Sequence, residues 1–423
     1  MNYDIIINCM HCGLCLPTCP TYALTGNERS SPRGRIRLMK AVADGDLPLS
    51  NIFVDEMDFC LDCQACETAC PAGVKYGELV EAARSDIAIQ GREPWLRKLA
   101  KKFFLGWLLP KRQRLHAAAS IIRWIERTGI REALRTSGIM ALVSPRLYSL
   151  DGLLPAISET YSSNMLPAVY PPYGQKRFRV GFLTGCIMDV AFSDVNMDTV
   201  EVLRHHGCEV VVPRGQECCG SLHAHSGDMV TARQLAELNL AAFDDHSLDA
   251  VVMNSSGCGA FMKEYGHLFA DSPLLVVKAQ RLSRKIKDIT EFLDETGFFP
   301  ASTVSSSIAG RRISYHDACH LVHTQQISSQ PRRLIQSVPG IEFREIPEST
   351  WCCGSAGIYN ITRHEDSMKL LDRKIMNIRS VGPEIVVTGN PGCVIQIQHG
   401  LRDGKEKIEV MHTATFLRHA CAL

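Results

Sequence analysis

The arrangement of the cysteines constrains this chain more than any other feature of its sequence. Eighteen of the 423 residues are cysteine, and eight of them form two runs near the N-terminus. Both runs have the spacing C-x2-C-x2-C-x3-C and end in proline; they are Cys9, Cys12, Cys15 and Cys19, followed by Cys60, Cys63, Cys66 and Cys70. Cysteines clustered in this way indicate metal ligands.

The spacing is that of bacterial two-cluster ferredoxins, in which the fourth cysteine of each run ligates the other cluster. Three cysteines at every third residue let one tight loop offer three sulfurs to one cluster, and the proline turns the chain away. We therefore predict two four-iron, four-sulfur (4Fe–4S) clusters, held by Cys9, Cys12, Cys15 and Cys70, and by Cys60, Cys63, Cys66 and Cys19. The alternative is a pair of zinc sites, although zinc normally takes two C-x2-C pairs.

Other sequence features indicate a reducing compartment, where clustered cysteines bind metal rather than form disulfides. The N-terminal residues show neither the cationic nor the apolar segment of a signal peptide. No stretch approaches the roughly 18 to 20 apolar residues needed to cross a bilayer. The formal net charge is +1, which gives no case for nucleic-acid binding.

The 40 residues between the two runs predict a helix. Ser31 is its N-cap, Pro32 lies in its first turn, and Gly45 lies beyond its end. A further helical stretch at 76–90 follows the second run. Residues 1–90 are therefore expected to form a helical two-cluster ferredoxin domain.

Three arginines lie on the first of these helices: Arg33, Arg35 and Arg37. One interpretation is that they offset the negative charge of the clusters. The other is that they form an ordinary solvated helix face.

Residues 91–174 are expected to form a basic helical connector that ends in a proline-rich linker. Between Trp95 and Arg135 there are eleven lysines or arginines and two acidic residues. Apolar residues interleave with helical spacing, with a break at Pro110. Such a hairpin either lies on an anionic membrane surface or, more commonly, packs on its own domains or a partner subunit.

Two later segments, 175–300 and 301–423, repeat each other. Each contains a single cysteine, then a Cys-Cys-Gly (CCG) motif, then Gly-Cys, at gaps of 32 and 39 positions in the first segment and 33 and 40 in the second. The two sets are Cys186, Cys218, Cys219 and Cys258, and Cys319, Cys352, Cys353 and Cys393. Alternating strand and helix patterns predict two α/β modules with these candidate metal ligands on loops at strand ends.

The remaining cysteines, Cys208 and Cys421, have no counterpart in the repeat and are expected to pack in the core or tail. Four histidines lie beside the motifs: His223, His225, His316 and His320. We interpret each as a local hydrogen-bonding residue rather than a metal ligand.

With these motifs the sequence resembles the iron–sulfur subunits of bacterial flavin-linked dehydrogenases, and glycolate oxidase above all. The stretches that carry the resemblance are Cys12-Gly13-Leu14-Cys15, Pro32-Arg33-Gly34-Arg35-Ile36, Ser256-Gly257-Cys258-Gly259-Ala260-Phe261 and Cys352-Cys353-Gly354-Ser355-Ala356-Gly357. In the related heterodisulfide reductase, the CCG modules end in C-x2-C. Here Ser255 and Asn390 stand in place of the earlier cysteine of that pair, so four cysteines remain in each module.

The resemblance implies an α+β multidomain fold and an electron-transfer role. It implies partner subunits that contain FAD and oxidise glycolate to glyoxylate, and D-lactate as well. It also implies further iron–sulfur clusters in the CCG modules and a quinone acceptor at the inner face of the cytoplasmic membrane. Since the sequence shows no G-x-G-x-x-G, P-loop or triad, we expect no catalytic residue and no FAD on this chain.

Other functions are compatible with the same motifs. The chain could relay electrons from glycerol 3-phosphate or L-lactate, or reduce disulfides at a CCG site. It could also be a non-catalytic iron–sulfur scaffold or redox sensor.

Overall fold

The computed structural model describes residues 1–92, 95–298, 300–302, 304–402, 404 and 406–423. It is a mixed α/β structure, as predicted, with helices at the N-terminal end and two small, mostly parallel sheets in the later part. Among the described residues no helix is both long and apolar enough to cross a membrane.

The N-terminal region is helical, with the two cysteine runs on loops between helices. Its helices are α1 (Tyr3–Ile7), α2 (Pro20–Thr25), a 3-10 turn (Glu28–Ser30), α3 (Pro32–Ala43), α4 (Asn51–Phe59), α5 (Ala65–Thr68) and α6 (Tyr76–Ile89). The predicted signals of α3 are confirmed: the Ser31 hydroxyl accepts a hydrogen bond from the Gly34 amide at 3.0 Å, and Pro32 is the first helical residue. Buried apolar side chains from α1, α3, α4 and α6 form one core beside both runs.

The connector is helical throughout its first part and packs only partly on the rest of the chain. Its elements are α7 (Trp95–Lys101), a π-helical stretch (Lys102–Leu108), α8 (Arg112–Arg127), α9 (Ile130–Thr136), α10 (Ile139–Val143), α11 (Pro145–Asp151) and α12 (Ser162–Met165). Leu115 and Ala119 of α8 are buried against Tyr161 and Val190. Much of the remaining apolar surface of the connector is exposed.

The first CCG module contains a five-stranded sheet with the order β1-β3-β2-β4-β5. Its elements are β1 (Val169–Tyr170), β2 (Phe178–Phe182), α13 (Ile187–Ala191), α14 (Ser193–His205), β3 (Cys208–Val211), α15 (Ser221–His225), α16 (Met229–Ala242), β4 (Ala250–Met253), α17 (Ser256–Lys263), α18 (Tyr265–Leu268), α19 (Pro273–Lys285), β5 (Ile286–Asp288) and α20 (Ile289–Glu295). β1 is antiparallel to β3, and the other pairs are parallel.

The second CCG module repeats this topology as a four-stranded parallel sheet with the order β7-β6-β8-β9. Its elements are β6 (Arg312–Tyr315), a π-helical turn (His320–Thr324), α21 (Ser329–Gln336), β7 (Glu342–Phe343), α22 (Tyr359–Thr362), α23 (His364–Val381), β8 (Ile385–Thr388), α24 (Pro391–Leu401), β9 (Glu409–His412) and α25 (Thr413–Ala420). All four residues of β4 and of its counterpart β8 are buried, as expected for central strands of a covered parallel sheet.

The two CCG modules share one hydrophobic core. α14 of the first module packs on α25 of the second, and α21 of the second packs on α20 of the first. α14 corresponds to α21 in the repeat, and α20 corresponds to α25. The two contacts are therefore equivalent, with the roles of the two modules reversed. The shared core fixes one module against the other, and it leaves the cysteine-bearing strand ends free to meet the ferredoxin region.

Candidate metal centres

The eight N-terminal cysteines surround two neighbouring cavities. Cys9, Cys12, Cys15 and Cys70 line the first cavity, whereas Cys19, Cys60, Cys63 and Cys66 line the second; Cys66 borders both. The last cysteine of each run therefore lies at the cavity of the other run. This is the placement that crossed ligation requires, while the ligand roles themselves stay a prediction.

Both cysteine loops bend in the same way. In the first loop His11 and Gly13, which flank Cys12, have φ values of 54° and 87°. In the second loop Asp62 and Gln64, which flank Cys63, have φ values of 56° and 58°. A left-handed backbone conformation is costly for a residue other than glycine. In both loops it occurs on each side of the middle cysteine. It curls each loop around its cavity, so that the three cysteines of the loop line one space.

The donor set and surroundings of the second cavity fit an iron–sulfur cluster. Thiolate sulfur is the ligand that such clusters take. Burial raises the pKa of the Cys63 and Cys66 thiols well above the usual value. Without metal these side chains stay protonated, and a bound metal takes the place of the protons.

Arg35 places a positive charge beside the second cavity. Its side chain is fully buried, and it donates hydrogen bonds to the Glu56 carbonyl at 2.8 Å and the Thr21 hydroxyl at 3.0 Å. Burial opposes the charge, but Tyr76, Cys60, Cys19 and Glu56 together raise the pKa of Arg35 above its usual value. Arg33 lines the first cavity and Arg37 is exposed. The three arginines of α3 are therefore not equivalent: two border the cavities and one is solvated.

In the first CCG module the four predicted cysteines form a chain of sulfur contacts. The Cys186 and Cys218 sulfurs are 3.5 Å apart, and Cys219 contacts both Cys218 and Cys258. Ser255, which stands in place of a cysteine, donates a hydrogen bond to the Cys258 sulfur. The pKa of Cys258 is lowered by its hydrogen bond with Cys219 and further by that with Ser255.

The second CCG module brings together Cys319, Cys352, Cys353 and Cys393 in the same order. The Asn390 amide nitrogen lies 3.6 Å from the Cys393 sulfur. Both residues that replace the missing cysteine therefore touch the last sulfur of their site. Four soft thiol donors at one place suit an iron–sulfur group in each module.

The glycine of each CCG motif is required by the backbone. Gly220 and Gly354 have φ values of 92° and 90°. A Cβ atom on Gly354 would lie 2.6 Å from the Ser367 carbonyl oxygen, and one on Gly220 would lie 3.2 Å from the Ala232 carbonyl oxygen. Only glycine lets the chain reverse here and hold two adjacent thiols at one site.

The second ferredoxin cavity borders the second CCG site, an arrangement that sequence analysis did not predict. Cys63 and Cys352 belong to one packed cluster with Phe59 and Trp351, and Cys319 packs against it. Burial and then the proximity of Cys319 raise the pKa of Cys63. Two of the predicted metal sites thus share a boundary of packed, mostly apolar side chains.

A buried charge network joins the ferredoxin region to both CCG modules. The His225 Nδ1 atom donates to Glu81 Oε1 at 2.6 Å and lies 3.3 Å from Asp62 Oδ2. The His225 and His320 rings stack at 5.1 Å, and His320 Nε2 donates to the Asp62 carbonyl at 3.0 Å. Burial opposes protonation of His225, but Asp62 and Glu81 raise its pKa to about 10.

The histidines beside the motifs mostly act through hydrogen bonds. His225 and His320 join the regions as described, and His223 Nε2 donates to the Leu105 carbonyl at 2.8 Å. His316 differs, because neither of its ring nitrogens has a hydrogen bond of normal geometry. Cys208 and Cys421 are buried in the shared core of the modules.

A helical region with two four-cysteine cavities, joined to two α/β modules with four cysteines each, defines an iron–sulfur electron-transfer protein. Family comparison assigns residues 5–74 to a 4Fe–4S dicluster domain, and residues 180–263 and 313–398 to a cysteine-rich domain. Residues 96–154 match the linker region of the glycolate oxidase iron–sulfur subunit.

Three relatives illustrate the similarity. A probable glycolate oxidase iron–sulfur subunit of Bacillus subtilis is 40% identical over 99% of this chain and 95% of its own length. The glycolate oxidase iron–sulfur subunit of Escherichia coli is 30% identical over 92% of this chain and 89% of its own length. Lactate utilization protein A of Oceanobacillus iheyensis is 32% identical over 56% of this chain and 96% of its own length.

The chain belongs to the family of glycolate oxidase iron–sulfur subunits. This confirms the resemblance, the fold class and the role as an iron–sulfur subunit of an oxidoreductase complex. Iron–sulfur clusters are its cofactors, and in this family FAD belongs to a partner subunit.

Crossed ligation predicts which cluster each variant loses. Cys70→Ser is expected to give the EPR spectrum of Cys12→Ser, because both residues line the first cavity. Cys19→Ser should instead match Cys63→Ser. The spectra are recorded on anaerobically purified, reduced full-length chains. If Cys70→Ser matched Cys63→Ser, each run would bind its own cluster and the pairing would be wrong.

Proposed function

We propose that this chain carries electrons from an FAD-containing subunit, which oxidises glycolate to glyoxylate, towards the respiratory quinone pool. We expect D-lactate to be a second substrate of the same complex. The match of residues 96–154 to a linker described for glycolate oxidase supports this donor over glycerol 3-phosphate or L-lactate.

One observation carries the proposal: three of the four cysteine sets lie in a row. The first cavity borders the second through Cys66, and the second borders the second CCG site through Cys63. Iron–sulfur clusters at such positions supply one-electron transfer. A series of adjacent sites suits a relay, whereas a sensor or a scaffold does not require one.

We assign the ligands accordingly. One 4Fe–4S cluster takes the cysteines of the first cavity and the other takes those of the second. Each CCG module is proposed to bind a further metal centre through its own cysteine set. Buried apolar side chains pack around Cys63 at the boundary between the second cavity and the second CCG site.

The proposed relay is tested by stepwise addition of partners. The purified chain alone should oxidise neither glycolate nor D-lactate with an artificial acceptor. When the flavoprotein subunits are added anaerobically, glycolate should bleach the iron–sulfur absorption of this chain. L-lactate and glycerol 3-phosphate serve as controls. If either one bleached the absorption faster than glycolate, that compound would be the donor instead. Activity of a flavin-free preparation would contradict the proposal.

Metal in the CCG modules is tested by iron content. Two cubes account for about eight irons per chain, so an occupied CCG site raises the count above that value. The double variant Cys219→Ser, Cys353→Ser should return it to about eight. The matched control is Cys208→Ser, Cys421→Ser, which removes two buried cysteines outside the sites. A wild-type count of about eight, unchanged in the first variant, would leave the modules without metal.

We further propose that the protein is cytoplasmic and contacts the inner face of the membrane through its connector. The connector has more lysine and arginine than acidic residues, which favours contact with anionic lipid. Its exposed aromatic side chains favour the interface between lipid and water. The exposed apolar residues of the connector include Trp95, Leu99, Phe103, Phe104, Trp107, Ile121 and Trp124. Such contact would bring the chain near the quinone pool.

Membrane contact is tested by co-sedimentation with vesicles. Vesicles with anionic lipid should bind the full-length chain, and neutral vesicles should bind it at least about tenfold less. Phe103→Ser, Trp107→Ser and Trp124→Ser together should abolish binding. Leu274→Ser with Val277→Ser, two exposed apolar residues of α19, should leave it unchanged. Absence of binding to anionic vesicles would assign the surface to a protein partner instead.

A further inference from the structure

The two CCG sites have the same cysteines but different neighbours. Phe182 at the end of β2 pairs with Val252, and Tyr315 at the end of β6 pairs with Val387. Each of these strand residues lies four positions before the first cysteine of its module. The next residue is Leu183 in the first module and His316 in the second. The repeat thus places an imidazole in the second site where the first site has an aliphatic side chain.

His316 lies among the sulfurs of the second site. One of its ring nitrogens and the sulfurs of Cys353 and Cys393 all lie within 4.8 Å of one another. The side chain is only 1% exposed. Three donor atoms at this separation surround a space that one metal group can bridge.

The Ser349 carbonyl is near the ring nitrogens of His316 but is not well placed to bond either of them. Neither makes a hydrogen bond of normal geometry, and leaving a buried polar group without a partner is destabilising. Such an orphaned group in a well-packed interior needs an explanation. A metal ligand beside two thiols gives one, because coordination satisfies the nitrogen.

The ammonium of Lys374 lies close enough to His316 to act on it electrostatically. Lys374 itself donates to the carbonyls of Glu348 and Ser349 at 2.6 and 3.1 Å and does not compete for the imidazole.

We propose that His316 supplies a nitrogen ligand to the metal centre of the second CCG site. The inference rests on the proposed function, because it requires metal in that module. The imidazole makes up for the cysteine that Asn390 replaces, and the first site, with Leu183 at this position, has no equivalent.

The nitrogen ligand is tested by pulsed EPR on the full-length chain labelled with ¹⁵N-histidine. The Cys219→Ser background is used so that only the second CCG site carries CCG metal. We expect a strong ¹⁵N coupling that His316→Leu abolishes and that Tyr315→Phe, a buried change at the preceding residue, leaves unchanged. Should His316→Leu fail to fold, His316→Cys serves instead: it should keep the iron and lose the coupling.

The possible results separate the two proposals. Iron above about eight per chain with no strong histidine coupling, whether the site is oxidised or reduced, overturns the role of His316 alone. A coupling that persists in either His316 variant does the same. Iron that stays at about eight in this background, with no change on adding Cys353→Ser, overturns metal binding by the second module and this inference with it.

Discussion

The relative position of the metal sites depends on the buried carboxylate of Asp62. This residue lies between Cys60 and Cys63, it is 3% exposed, and its side chain faces Arg84 at 3.6 Å and His225 at 3.3 Å. An unpaired charge at such depth would cost several kcal/mol. His225 comes from the first CCG module, and His320, which stacks on it, comes from the second. Neutralising this carboxylate thus joins the ferredoxin region to the first module, and the hydrogen bond from His320 to the Asp62 backbone carbonyl brings in the second.

This meeting point explains why the second ferredoxin cavity borders a CCG site. Arg84 also donates to the carbonyls of Cys60 at 2.6 Å and His225 at 2.9 Å, so it ties the cysteine loop to the first module by backbone as well as by charge. With both modules held by the loop that carries Cys63, the second module presents Cys319 and Cys352 to that loop. The three donor atoms of Asp62, Glu81 and His225 lie close enough to hold a metal, but their charges are already balanced by one another and by Arg84.

The features that the sequence predicts depend on local spacing, whereas the features that it misses depend on contacts between distant residues. The cysteine runs, the cap of α3 and the duplicated module depend on local spacing, which sequence displays directly. The boundary between Cys63 and the second CCG site arises from residues more than 250 positions apart, and it depends on the contacts of Asp62 with both modules. The prediction that His316 forms local hydrogen bonds rests on the usual role of histidines that lie beside such motifs. Aligning the two repeats residue by residue would have set it against Leu183 and shown the difference.

The asymmetry of the modules has a physical basis in their neighbours. The first module gains the extra strand β1 and contacts the connector through His223 and Leu105, whereas the second contacts the ferredoxin loop through its cysteine site. Duplication supplies two equal sets of four thiols, and the different packing partners make the sets unequal. With the proposed ligands, the second CCG site would exchange electrons directly with the neighbouring ferredoxin cluster. A site that faces the connector is better placed to meet whatever the exposed aromatic surface of the connector binds. The order of the sites along the relay therefore follows from how the two repeats pack, and their nearly identical cysteine spacing does not determine it.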